Sequence, residues 1–218
     1  MLDPVAIAAH FADCLEQAVR DDDPYTHWLL DGALPEAVLR GIDALPFQPP
    51  PVGDTLGRRE THNSTRLFFG AGEQAAFPVC AALAGALQGA GAVRAIERVC
   101  GVALGGLSLR IEYCLDTDGF WLEPHTDIGA KKFTMLIYVS DDPGSEDWGT
   151  DICAPDGTVL ATTPYERNGG LIFIPGSDTW HGFHRRRIAG VRRSLIVNYV
   201  GAEWRARHEL AFPEAAIA

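Results

Sequence analysis

Between residues 105 and 200 the chain reads as a succession of short apolar segments: LSLRIEYC, GFWLEPH, FTMLIYVS, TDICA, TVLAT, LIFIP, TWHGFH and SLIVNYV. Each is rich in β-branched or aromatic residues, and turn chemistry separates them, as in DTDG, DDPGSEDWG, PDG, RNGG and PGSD. About eight short strands in series predict an antiparallel sandwich or barrel, such as a jelly roll. The first third of the chain has a different texture. PVAIAAHFADCLEQAVR follows Asp3, a helix cap with Pro4 at the first helical position, and LPEAVLRGIDAL is a second short helix. PFQPPPVGDTLGRRETHNS is too rich in Pro and Gly to be regular, and TRLFF is a possible strand. The Ala-rich stretch from Glu73 to Gly101 predicts helix, broken near Gly89 and Gly91. The expected architecture is one domain over 1–218: helical support and loop over 1–104, a β core over 105–200 and a tail over 201–218. The helices would brace one outer face of a sheet.

Composition narrows the function classes. The net charge of −11 disfavours nucleic acid as a partner. No apolar run approaches the length of a membrane span, and the N-terminus lacks the basic and apolar regions of a signal peptide. The five cysteines are scattered, odd in number and without a CxxC pair, so they read as reduced thiols in a cytoplasmic protein.

The chemistry concentrates in EPHTDIGAKKFTMLIYVS. In a strand, residues two apart face one side, so His125 and Asp127 can grip one ion. The plain alternative is a surface histidine beside a turn-capping aspartate. PGSDTWHGFHRRR offers a third ligand, His181 or His184. These lie three apart and face opposite sides of a regular strand, and the aromatic residues around them do not decide between them. Two imidazoles and a carboxylate form a facial triad suited to non-haem Fe(II), with coordination positions left open. Zinc would accept the same ligands, but closed zinc sites usually hold four, often thiolates, and no cysteine is placed to complete such a set.

In GVRRSLIVNYV, Arg192 and Ser194 share a strand face. An arginine aimed into a barrel is costly unless it meets an anion, and a carboxylate fits its planar fork. Arg193 would point outward; the alternative is that both arginines are surface charge. Asn198 has the same parity as Arg192 and could face the cavity or be a satisfied core amide. Thr134, Leu136 and Tyr138 share a face of their strand.

The order His-x-Asp, strand, distant His, then Arg-x-Ser on the next strand resembles the Fe(II)/2-oxoglutarate-dependent dioxygenases, in particular their prolyl-4-hydroxylase-like branch. The resemblance covers roughly residues 107–200. It implies a mainly β fold, the double-stranded β-helix, with N-terminal helices. It implies Fe(II), 2-oxoglutarate as cosubstrate and O2, with succinate and CO2 released as a C–H bond is hydroxylated. By resemblance His125, Asp127 and His181 bind iron. Arg192, eleven positions after His181, matches the arginine that holds the distal carboxylate of 2-oxoglutarate, and this interval selects His181 over His184. Ser194 matches the small residue of the Arg-x-Ser, Tyr138 a tyrosine on the same carboxylate, and Tyr113 another aromatic near the cosubstrate. WGTDIC stands where relatives often carry Gly-Gly; only Gly149 remains, and Thr150 and Asp151 receive no role. Relatives that transfer halide have a small residue in place of Asp127, so its retention favours hydroxylation or a related oxidation.

The substrate is less legible. Arg58, Arg59, Asn63 and Arg66 lie in a loop leading into a strand; Arg66 could bind an acidic group, but pairing with an Asp or Glu of this acidic chain is favoured, and Arg110 is similar. Phe120 and Trp121 could line the pocket or fill the core. Lys131 and Lys132 are expected in solvent. Two other classes stay open: a cupin-type metalloenzyme that does not use 2-oxoglutarate, and a non-enzymatic jelly-roll module that binds an anion.

Overall fold

A computed structural model describes residues 2–49, 55–58 and 66–218. Helix α1 (Pro4–Gln17) starts where expected: the Asp3 carboxylate accepts from the Val5 amide at 3.0 Å, and Pro4 occupies the first turn. It buries Ile7, Phe11 and Leu15. It stops before Arg20, however, because Val19–Asp21 forms strand β1, paired antiparallel with β2 (His27–Leu30). The N-terminal third is therefore not purely helical. After α2 (Glu36–Asp43) come β3 (Arg66–Phe68), α3 (Ala71–Ala76), α4 (Pro78–Gln88) and α5 (Ala90–Cys100). Gly89 takes an extended conformation and separates α4 from α5, as the sequence suggested. Gly101 ends α5 in the left-handed region, where glycine carries no Cβ penalty.

The strands that follow are β4 (Ser108–Asp116), β5 (Leu122–His125), β6 (Lys131–Tyr138), β7 (Asp151–Cys153), β8 (Val159–Thr162), β9 (Gly170–Phe173), β10 (His181–Phe183) and β11 (Arg192–Val200). They form two antiparallel sheets. The larger has the order β1-β2-β9-β6-β11-β4-β3 and the smaller β5-β10-β7-β8. This is a jelly-roll-like core with helices on one face of the larger sheet.

Strand parity decides what faces what. On β4, Leu109, Ile111, Tyr113 and Leu115 join the core shared with the helices, where Phe11, Leu83 and Ile96 are buried. On β11 and β6 the corresponding residues are Leu195, Val197 and Tyr199, and Phe133, Met135 and Ile137. Burying each such side chain contributes about 1.5–3 kcal/mol. The opposite faces of the same strands look into the space between the two sheets. There Tyr138, Leu136, Ile196, Ile152, Phe173 and Phe183 form a second, smaller core, and polar side chains fill the rest.

A polar cavity and candidate metal centre

The two histidines arrive by sheet register. His125 ends β5 and His181 starts β10, and the two stand directly opposite each other across the antiparallel pair. Cross-strand neighbours of this kind project side by side, and the imidazole centroids lie 4.4 Å apart. Asp127 enters from the turn after β5. One ligand atom from each of His125, Asp127 and His181 falls within 4.8 Å of the others.

Each side chain is held by a second interaction. Nδ1 of His125 lies 2.9 Å from the Glu123 carbonyl oxygen, and Nδ1 of His181 lies 2.9 Å from that of Thr179. A carbonyl only accepts, so each ring carries its proton on Nδ1 and presents the Nε2 lone pair. The Asp127 carboxylate accepts from the Thr134 hydroxyl at 2.7 Å and from Lys131 Nζ at 2.6 Å. Burial lowers the His181 pKa to about 4, outweighing the opposing pull of Asp127. A neutral imidazole with its lone pair turned inward beside a carboxylate is the donor set a divalent transition metal requires. The residues fit an Fe(II) centre.

His184 goes elsewhere. Its side chain is 46% exposed, and its ring and amide both meet Asp151. Asp151 also holds Arg186 and the Thr162 hydroxyl, so it ties β7, β8 and the segment after β10 together. Burial would raise the Asp151 pKa, but these hydrogen bonds hold it below the usual carboxylate range.

A cavity of about 40 Å³ adjoins the triad, with His181, Asp127, Lys131, Asp116, Arg192 and Ser194 in its wall. Arg192 and Ser194 lie on the inward face of β11 as parity predicts. Arg192 donates to Asp116 Oδ2 at 2.8 Å and to the Trp148 carbonyl at 2.8 Å, and lies 4.5 Å over the Phe183 ring. Burial works against its charge, but Asp116 raises its pKa. Arg193 faces the other way and pairs with Asp142. The Tyr138 hydroxyl meets Thr150, which lines the cavity, at 2.9 Å, and Thr163 at 2.7 Å.

Three expectations need correction or completion. Tyr113 is not near the cavity: the β4 register turns Arg110, Glu112, Cys114 and Asp116 inward, and Tyr113 packs among the helices with its ring 6.5 Å from that of Phe69. Lys131 is not solvated: it opens β6 facing inward, 5% exposed, against Asp127. Lys132 is exposed and pairs with Glu203. Asn198 is a satisfied amide, accepting from Arg110 at 3.1 Å and donating to Thr134 at 2.9 Å. Asp116 is the cavity residue that the sequence reading leaves out, and Lys131 the one it places in solvent. Asp116 had a signal: Arg110, Glu112 and Asp116 alternate with Leu109, Ile111, Tyr113 and Leu115.

Arg66 pairs with Glu112, an acidic residue of the chain as expected, and also lines the cavity. Arg110 pairs with Glu112 and Glu209 and lies between the rings of Phe68 and Trp204. Phe120 lines the cavity, and the Arg185 guanidinium lies 4.6 Å over the Trp121 ring. Arg59 and Asn63 lie outside the described residues. A wider groove of about 510 Å³ is walled by His125 together with Arg58, Leu122, Glu123, Thr126 and Ile128.

Neither a protein-family model nor a curated protein matches the chain. Solved structures do. A Pseudomonas putida prolyl-4-hydroxylase superposes with a TM-score of 0.56 at 15% identity, over 89% of this chain and 99% of its own. A 2OG-Fe(II) oxygenase family oxidoreductase from Burkholderia pseudomallei gives 0.55 at 18% identity, over 94% of each chain. HygX from Streptomyces hygroscopicus, with nickel, 2-oxoglutarate and hygromycin B bound, gives 0.55 at 14%, over 81% of this chain and 83% of its own. The chain has the fold of the 2-oxoglutarate/Fe(II) oxygenases. Prolyl hydroxylases recur among the structures similar to it, including one from Phytophthora capsici and one from Trichoplax adhaerens.

Proposed function

We propose that this protein is an Fe(II)/2-oxoglutarate-dependent oxygenase that hydroxylates a C–H bond of its substrate. Dioxygen is the oxidant, and succinate and CO2 are the coproducts. The observation that carries the reading is the convergence of His125, Asp127 and His181 on one point of a fold shared with such oxygenases. Bound iron would supply the redox chemistry that couples decarboxylation of 2-oxoglutarate to oxidation of the substrate.

The chain's own residues hold, orient and exclude. The Nδ1 protons on backbone carbonyls fix both rings, and Thr134 fixes Asp127. Phe120, Leu136, Phe173 and Phe183 keep the surroundings apolar. Arg192 and Ser194 offer the hydrogen-bonding groups for the distal carboxylate of 2-oxoglutarate. The groove beside His125 is the place for substrate, with Arg58 and Glu123 as polar contacts and Ile128 as an apolar one.

The test is reconstitution with Fe(II) without oxygen, titration with 2-oxoglutarate, then addition of oxygen and candidate substrates while succinate is measured. The expected result is one iron per chain, a visible band that depends on 2-oxoglutarate, and succinate formation stimulated by the true substrate. Iron without that band points instead to a metalloenzyme using no 2-oxo acid, a reading the existing Arg192–Asp116 pair favours. A protein that takes up no metal overturns both.

A further inference from the structure

Arg192 meets a carboxylate of its own chain. It stands directly opposite Asp116 in the β4–β11 register, and the two side chains share an ion pair at 2.8 Å. Arg192 is 5% exposed and Asp116 2%. The second carboxylate oxygen of Asp116, Oδ1, is buried without a hydrogen-bond partner, and so is the hydroxyl of Ser194. Both residues line the cavity that adjoins the triad. The other cations in its wall are engaged as well, Arg66 with Glu112 and Lys131 with Asp127. The far end of the cavity thus combines a balanced charge pair with two polar atoms that lack partners.

We propose that Asp116 is a specificity-determining residue of the cosubstrate end: an internal counter-ion that has to leave Arg192 before the distal carboxylate of 2-oxoglutarate can take its place. This rests on the oxygenase reading above. The physical reason is that two carboxylates against one guanidinium, away from water, repel as the members of a carboxylate dyad do. At about 40 Å³ the cavity has room for a few waters rather than a five-carbon diacid, so entry also requires a side chain to move. Asp116 therefore weakens the pocket's preference for a diacid over a 2-oxo acid with an uncharged tail.

The experiment uses the full chain loaded with Fe(II) without oxygen, and reads dissociation constants from the visible band. The probes are 2-oxoglutarate and 2-oxopentanoate, which has the same chain length and a methyl group where the distal carboxylate would be. The wild-type chain is expected to prefer the diacid by less than about tenfold. Asp116→Asn keeps the shape and an acceptor for Arg192 but removes the charge. It is expected to raise that preference by at least about tenfold through tighter binding of 2-oxoglutarate alone. Asp116→Ser, checked for folding by circular dichroism, is the second variant and is expected to shift the preference in the same direction. A wild-type preference of about a hundredfold, or variants that leave the preference unchanged or weaken 2-oxoglutarate, overturns the proposal. If neither acid perturbs the loaded wild-type centre, the oxygenase reading fails and takes the proposal with it, an outcome distinct from normal binding that ignores Asp116.

Discussion

Asp127, a proposed metal ligand, is tied to the rest of the barrel. It accepts from Thr134, which is bonded to Asn198, which in turn accepts from Arg110, an ion-pair partner of Glu209. Asp127→Ala is expected to abolish succinate formation and lower the iron content, measured on protein shown to be folded. It also removes the carboxylate against which Lys131 is buried, so unfolding stability should fall by about 3–5 kcal/mol. The two adjacent arginines should behave differently because one strand turns them to opposite sides. Arg192→Ala is expected to weaken 2-oxoglutarate binding by about tenfold to a hundredfold, and Arg193→Ala by less than about twofold. Calorimetric titration of the Fe(II)-loaded protein separates them, and equal effects would refute the orientation. The inward face of Arg192 was legible because it needs only a strand period, whereas the choice of His181 over His184 needed the eleven-residue interval that the family resemblance implies. Lys131 was not, because a charge following a turn normally goes to water, and only the fold shows that Asp127 waits inside.

At the level of the element, strand β4 shows that a period alone does not say which side is which. Its charged and apolar residues alternate, and the usual rule places the charges in water. Here the helices cover the apolar face, and the charged face lines the cavity between the sheets. Tyr113 was matched by its neighbourhood in the sequence, and the same alternation places it under the helices. Strand β1 was missed for another reason. Val19–Asp21 is exposed on both faces, so it has no burial pattern to read. The hairpin of β7 and β8 leads to a prediction of its own. A side chain at Gly149 would run into the Thr163 carbonyl oxygen, because the chain folds back tightly there. Gly149→Ala should cost about 1–3 kcal/mol, read as a lowered Tm, and should loosen Thr150 in the cavity wall.

At the scale of the whole molecule, the fold class was legible from the density of short strands and turns, and the helical face from the composition of the first hundred residues. How the layers assign polarity was not, since it depends on which sheet face the helices cover. The buried histidine has a global consequence. In the metal-free protein His181 stays neutral down to about pH 4, whereas in the unfolded chain it takes up a proton near pH 6.5. The unfolded state therefore binds more protons between these values, and stability is full above about pH 6.5 and declines toward pH 4. The slope from this one group is about 1.4 kcal/mol per pH unit. Denaturant unfolding of the metal-free wild type and of His181→Leu should show the slope in the first and its reduction in the second.

The pairing of His125 with His181 across β5 and β10 reaches beyond the chemistry of a centre. Strand β5 is four residues long and forms the rim of the smaller sheet. An ion gripped from both sides of that seam would act as a rivet, fastening the last strand to its neighbour. Iron loading should then slow amide hydrogen exchange over residues 122–125 more than in the helices. The same ion would proofread strand alignment, since a slip of one residue turns one imidazole away and leaves nothing to fasten.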